Sequence, residues 1–291
     1  MIITLENEYL ICEISSFGGE ILSIKDRSGI EYIWQGNAEY WVGHAPNYFP
    51  FQIKLERNIY TYMDEHYTLE THGFLKDMRM KVDSLTGESL VLSVSDTKES
   101  RKSYPFHFTL RLEFRLTGRT LTVKYVVVNL NNDSMYFAIA GNPGFNVPLE
   151  EGARFEDYRL RFFAGSEPRR IATFETGLLR GSSDEEFELD EDSCVELSHN
   201  LFSDGAVLLA DSGGGITVES NDHDRSFVVS FLNMPYVCLW QKPDSEAPFI
   251  CIEPWTSLPP IAGLEPDLEN MGLISLRSGE DYTTSYSISC L

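Results

Sequence analysis

The sequence predicts an almost all-β fold, a large antiparallel sandwich or barrel, on three observations. Apolar and polar residues alternate in long runs. The runs recur at about the 8 to 12 residue spacing of sandwich and barrel strands, with turn residues between them. No window longer than ten residues carries a persuasive i, i+3, i+4, i+7 apolar stripe.

The elements follow in chain order. Residues 49–77 read as a hairpin with Tyr60 and Tyr62 on one arm and Tyr67 on the other, leading into Thr71, His72, Gly73 and Phe74. Leu90 to Val94 is a short strand. From Phe106 to Leu116 the positions Phe106, Phe108, Leu110, Leu112, Phe114 and Leu116 alternate with polar residues, the mark of a strand buried on one face. A turn at Thr117, Gly118 and Arg119 joins it to Leu121, Val123, Tyr125 and Val127, which predicts a hairpin ending at the Asn-rich break of Asn129, Asn131 and Asn132. Residues 184–192 (DEEFELDED) hold seven acids in nine positions and read as a solvated loop or edge. Ala206 to Leu209 and Ile216 to Glu219 are strands, with Gly213, Gly214 and Gly215 expected as the hairpin turn between them. Ser226 to Phe231 adds another. No Pro/Gly/Ser-rich linker divides the chain, so residues 1–291 are expected to form one domain.

Charge narrows the partners. The 291 residues carry 23 Lys and Arg against 45 Asp and Glu, a formal charge of -22. Such a surface repels phosphate backbones, which are bound through basic side chains, and it repels anionic membranes. Nucleic acid and membrane are therefore excluded as partners. No apolar stretch approaches the roughly 18 residues of a spanning helix, and the N-terminus (MIITLENEYLICEI) has acids where a signal peptide carries Lys or Arg, so a soluble, cytoplasmic protein is expected. Cys12, Cys194, Cys238, Cys251 and Cys290 are odd in number and set among apolar neighbours, which fits buried free thiols. They and the six histidines show no CxxC or HxxxH spacing, so no dedicated metal site is expected.

Three segments invite a functional reading. In the first, His72 beside Gly73 at a strand exit is free to point into a cleft. In the second, Ala140 to Leu149 (AGNPGFNVPL), Pro143, Gly144 and Pro148 interrupt regular structure just after a strong strand. In the third, Ala247 to Ser257 (APFICIEPWTS), Glu253 lies between an apolar strand and Pro254-Trp255.

These segments, in this order, resemble the aldose 1-epimerase (galactose mutarotase) superfamily, and its LacX-like branch most. The similarity runs along the whole chain, through Gly18-Gly19-Glu20-Ile21-Leu22-Ser23-Ile24, Trp34-Gln35-Gly36, Phe49-Pro50, Tyr60-Thr61-Tyr62, His72-Gly73-Phe74, Ser198-His199-Asn200-Leu201-Phe202 and Cys251-Ile252-Glu253-Pro254-Trp255. The resemblance implies a large antiparallel β-sandwich, the galactose mutarotase-like supersandwich. It also implies an enzyme that interconverts the α and β anomers of a free aldose by acid/base ring opening, without metal or organic cofactor.

Residue by residue, the resemblance places the base on Glu253 and one active-site histidine on His72. The second histidine, usually the acid, belongs to an HPxFN-type motif, and the matching segment here is Asn142-Pro143-Gly144-Phe145-Asn146. An amide has no proton to transfer near neutral pH, so turnover is expected to be weakened, with His72 or a water held by Asn142 supplying the acid function. The family's Arg after the Phe-Pro pair aligns with Lys54, which keeps the charge without the planar fork. Trp255 and Trp240 are candidates for an aromatic wall against the apolar face of a sugar. Two alternatives stand beside the enzyme: a non-catalytic carbohydrate-binding relative and, more weakly, a hexose-phosphate epimerase. The latter would want basic residues at the cleft mouth, and the adjacent pairs Arg169-Arg170 and Arg101-Lys102 lie outside the site motifs. Neither the sugar nor the oligomeric state is legible in the sequence.

Overall fold

In a computed structural model, which describes every residue except Ile53, Glu175 and Ser183, the chain is 45% strand and 7% helix, so the all-β expectation holds. Every ladder between named strands is antiparallel. Nine strands form one sheet in the order Cys194–Glu196, Tyr158–Phe162, Gly215–Ser220, Phe227–Ser230, Asp281–Cys290, Thr120–Asn129, Phe108–Thr117, Ser89–Ser95 and Lys81–Leu85. A second sheet runs Glu185–Glu186, Arg169–Arg170, Val207–Ala210, Tyr236–Trp240, Phe249–Trp255, Ala140–Gly141 and Asn47–Tyr48, with Gly144–Asn146 also pairing the Phe249–Trp255 strand. Ile2–Glu6, Leu10–Ser15 and Ile21–Asp26 make a small third sheet. Among the described residues no helix is long and apolar enough to cross a membrane.

Alternation in the sequence becomes packing between the sheets. Phe108, Leu110, Leu112, Phe114 and Leu116 are buried, and their hairpin partners Leu121, Val123, Tyr125 and Val127 continue the layer. They share one core with Val207, Leu209, Val237, Leu239, Ile250 and Ile252 from the second sheet. Because side chains alternate along a strand, the other residues of those second-sheet strands, Leu208, Cys238, Cys251 and Glu253 among them, face away from this core. That second face carries the candidate site.

The sheets are tied where the site begins. Gly141 is needed there, since a Cβ would come within 2.5 Å of the Tyr286 ring from the nine-stranded sheet. Tyr125 donates its hydroxyl hydrogen bond to Asn47 Oδ1, and Asn47 Nδ2 donates to the carbonyls of Gly18 and Gly19. Asn47 is buried, and these bonds fix the backbone that presents Tyr48.

One local expectation fails. Gly213 to Gly215 do not close a hairpin: Val207–Ala210 lies in the second sheet and Gly215–Ser220 in the nine-stranded one. The glycines instead carry the chain from sheet to sheet, with a Cβ at Gly215 meeting the Phe163 ring at 2.2 Å. Local composition marks a turn but not which sheet the next strand joins. The acidic segment 184–192 does form an edge, Glu185–Glu186, and all five cysteines are buried and unbridged.

Candidate active site

Register brings the sequence-distant residues together. Ala140 pairs with Trp255 on one side and Tyr48 on the other, and Gly144 pairs with Cys251. Counting between those pairs sets Asn142 opposite Glu253, and Cys238 opposes Glu253 on its other side. Asn142 is held in line by its backbone N–H donating to the Pro46 carbonyl at 2.9 Å. Residues directly opposite share a face, as do residues two apart on a strand, so Tyr48, Asn142, Glu253 and Trp255 project to the same side.

Glu253 is 5% exposed and sits between two small apolar clusters on that face. One gathers Trp34, Phe249 and Cys251 with Trp41 and Trp240; the other gathers Ile171, Leu208 and Cys238 with Trp255 and Leu258. Burial disfavours the charged form and pushes Glu253 from its usual 4.5 up to about 8, opposed by a hydrogen bond from Trp255 Nε1 to Oε2 at 3.2 Å. A carboxyl tuned in this way is suited to proton transfer near neutrality.

His72 arrives from a separate loop. Its own φ is +70° and that of Gly73 is +66°, and a Cβ on Gly73 would lie 2.3 Å from the Phe49 carbonyl oxygen. Glycine is therefore required for the loop to lie against Phe49, where Phe74 and Leu75 both donate to that carbonyl. The imidazole stacks on the Tyr48 ring at 4.2 Å and 12°. Its Nδ1 lies 2.8 Å from the Gln52 carbonyl, an acceptor only, so the proton resides on Nδ1 and the Nε2 of the neutral ring is an acceptor. Burial lowers the His72 pKa below 6.5, with the nearby Lys76 charge acting the same way, while the bond to Gln52 opposes them.

Tyr48 links the cluster, and sequence reasoning missed it. Asn142 Nδ2 donates to the Tyr48 hydroxyl at 2.8 Å. Burial raises the Tyr48 phenol well above 10, and the charge of Glu253 is the next largest cause. The available signal was position alone, since Asn47-Tyr48 immediately precedes Phe49-Pro50. Gln52 was missed as well. Its Oε1, Asn142 Oδ1 and Ser257 Oγ are buried with no protein partner among the described residues. Unpaired buried polar atoms cost about 1–3 kcal/mol each and are retained where something else completes them.

The remaining expectations divide. Trp255 contacts the carboxyl group itself. Trp240 opposes Cys251 and packs edge-on to Trp41 at 5.8 Å, within the aromatic cluster beside Glu253. Lys54 is exposed, and among the described residues no hydrogen bond or ion pair joins it to the Tyr48 cluster. Surface cavities of about 570 and 590 Å³ are lined by other residues, His66 in both, with Phe74 in the first and Arg57 in the second. The grouping of Tyr48, His72, Asn142 and Glu253 thus rests on register, hydrogen bonding and the stacking of His72 on Tyr48. The one cluster of metal-ligating side chains among the described residues, Glu156, His199 and Glu246, contains none of them.

Comparison with known proteins agrees along the full length. The family model described as aldose 1-epimerase matches residues 1–289. The chain is 33% identical over 266 residues to the chromosomal protein LacX of Lactococcus lactis subsp. lactis, covering 89% of this chain and 88% of that one. Among solved structures, it is similar to a galactose mutarotase related enzyme from Lactobacillus acidophilus, with 30% identity, a TM-score of 0.95 and coverage of 100% and 97%. A galactose mutarotase-like protein from Lactobacillus casei ATCC 334 matches with 29% identity, a TM-score of 0.94 and full coverage of both chains.

Proposed function

The chain belongs to the aldose 1-epimerase family, in its LacX-like branch, and on that premise we propose that it binds a free aldose and interconverts its α and β anomers. The observation that supports this most is Glu253: a buried carboxyl raised to about 8, hydrogen-bonded by Trp255, directly across the sheet from Asn142. In this reading its carboxylate takes the proton of the anomeric hydroxyl while the ring oxygen is protonated. The C1–O5 bond then opens, the aldehyde rotates about C1–C2, and reclosure on the other face gives the other anomer. The neutral Nε2 of His72 accepts a hydrogen bond from a sugar hydroxyl. Trp255 and Trp240 supply apolar surface, and Lys54 serves the sugar only by reaching in from solvent. The whole chain acts as one carbohydrate-binding domain, and a cytoplasmic setting suits its five unbridged thiols.

A binding protein without fast turnover is the second reading. Asn142 favours it, because the amide occupying the acid's place has no transferable proton. The hexose-phosphate reading draws no support from the basic pairs: Arg169 is engaged by Asp184 and Asp211, and Arg101 by Asp96. Polarimetry of freshly dissolved α-glucose and α-galactose separates the first two readings. A protein-dependent acceleration supports the enzyme, and tight binding with no acceleration supports the binder.

A further inference from the structure

We propose that Tyr48 is the proton donor to the sugar ring oxygen and that Asn142 is a positioning residue for its hydroxyl. This rests on the mutarotase reading above and deepens it. Three side chains stand beside Tyr48 and Glu253 as other hydrogen-bonding groups. Asn142 carries no acidic proton. His72 holds its proton on Nδ1, committed to the Gln52 carbonyl at 2.8 Å, which leaves Nε2 able only to accept. The Trp255 N–H is committed to Glu253. Tyr48 differs from all three: its oxygen accepts from Asn142 Nδ2 at 2.8 Å, and its own proton is donated to no protein acceptor among the described residues.

The surroundings suit that role. The His72 ring stacks on the phenol at 4.2 Å, and the buried Asn47 anchors the backbone beside it. In ring opening, the O1–H proton passes to Glu253 and its electron pair becomes the C1=O π bond. The C1–O5 pair moves to O5, which takes the Tyr48 proton. Glu253 ends neutral and Tyr48 ends as phenolate, so a single negative charge moves across the site and no second charge is created in a buried setting. Burial and then the Glu253 charge raise the phenol well above 10, and the Asn142 N–H, which points at the oxygen where that charge develops, opposes them. Reclosure on the opposite face runs the same transfers in reverse. An amide at position 142 then has its own logic: it supports an acid on the neighbouring strand.

The test uses the full chain and α-glucose and α-galactose at saturation. Tyr48→Phe keeps the ring that stacks on His72 and is expected to lose about 10²- to 10⁴-fold in kcat with KM changed less than threefold. Site-specific replacement of Tyr48 by 3-fluorotyrosine retains the hydroxyl and the packing. It is expected to stay active and to bring the alkaline fall-off of kcat to lower pH, which a merely structural tyrosine would not do. Equal kcat in Tyr48→Phe and the unmodified protein, or an alkaline limb unmoved by fluorination, would overturn the assignment while leaving the mutarotase reading intact. An unmodified protein that never exceeds the buffer rate would overturn the mutarotase reading, and this inference with it.

Discussion

Trp255 Nε1 donates to Glu253 Oε2 at 3.2 Å, from a position two residues along the same strand. Among the described residues it is the one hydrogen bond given to a carboxyl group that burial otherwise drives toward its neutral form. In the proposed reaction this pair sets the pH at which Glu253 is available as the base. The unmodified protein should therefore show kcat/KM rising with pH through about 8. In Trp255→Phe the apolar surface remains but the carboxylate loses its donor, so its pKa rises further and the limb moves to higher pH by about one unit. A limb that stays in place in this variant would separate Trp255 from the base.

The same carboxyl should make stability depend on pH. Its folded pKa of about 8 is raised above the unfolded 4.5, so the protonated group stabilises the fold fully below pH 4.5 and that contribution is lost as pH rises to 8. The difference of 8 and 4.5 corresponds to on the order of 5 kcal/mol. Glu253→Gln cannot ionise, and its Tm should exceed that of the unmodified protein by a margin that widens from pH 5 to pH 9. A constant margin would mean that Glu253 ionises freely in the folded state.

His72 should be neutral and of one tautomer. Long-range proton–nitrogen NMR at pH 6.5 is expected to show a protonated Nδ1 and an unprotonated Nε2, with titration only below that pH. A doubly protonated ring at pH 6.5 would make His72 the available acid and remove the reason for Tyr48.

Gly73 ties the His72 loop to the Phe49 carbonyl. Gly73→Ala adds a Cβ at 2.3 Å from that oxygen, on a backbone at φ +66°. A loss of about 3 kcal/mol is expected in denaturant unfolding, together with reduced turnover as His72 shifts. Unchanged unfolding and activity would show that the loop accommodates the methyl group.

The strands were legible where one face is buried and the other wet. The run from Phe108 to Leu116 alternates in sequence and in burial alike, and the Tyr60/Tyr67 hairpin pairs as its aromatics suggest. The second sheet is different. Its Phe249–Trp255 strand is buried nearly throughout, so it has no period to read, and the partners of Val207–Ala210 lie far along the chain. Of the site, the types of residue at 72, 142, 253 and 255 were readable because a family pattern marks them. Tyr48 was not, because its importance comes from a hydrogen bond across 94 positions that only the register of Ala140 against Tyr48 creates. The hydrogen bond that Asn142 gives to Tyr48 was illegible in the sequence for the same reason.

The most direct test of the account is the anomer exchange rate of a saturating aldose at equilibrium, followed by magnetisation transfer between the two anomeric protons, with the unmodified protein and with Glu253→Gln. Gln keeps the size of Glu253 but has no basic oxygen at neutral pH. The role of Glu253 as base requires exchange well above the buffer rate for the unmodified protein, and exchange at the buffer rate for Glu253→Gln with the sugar still bound. Exchange in Glu253→Gln as fast as in the unmodified protein would contradict it.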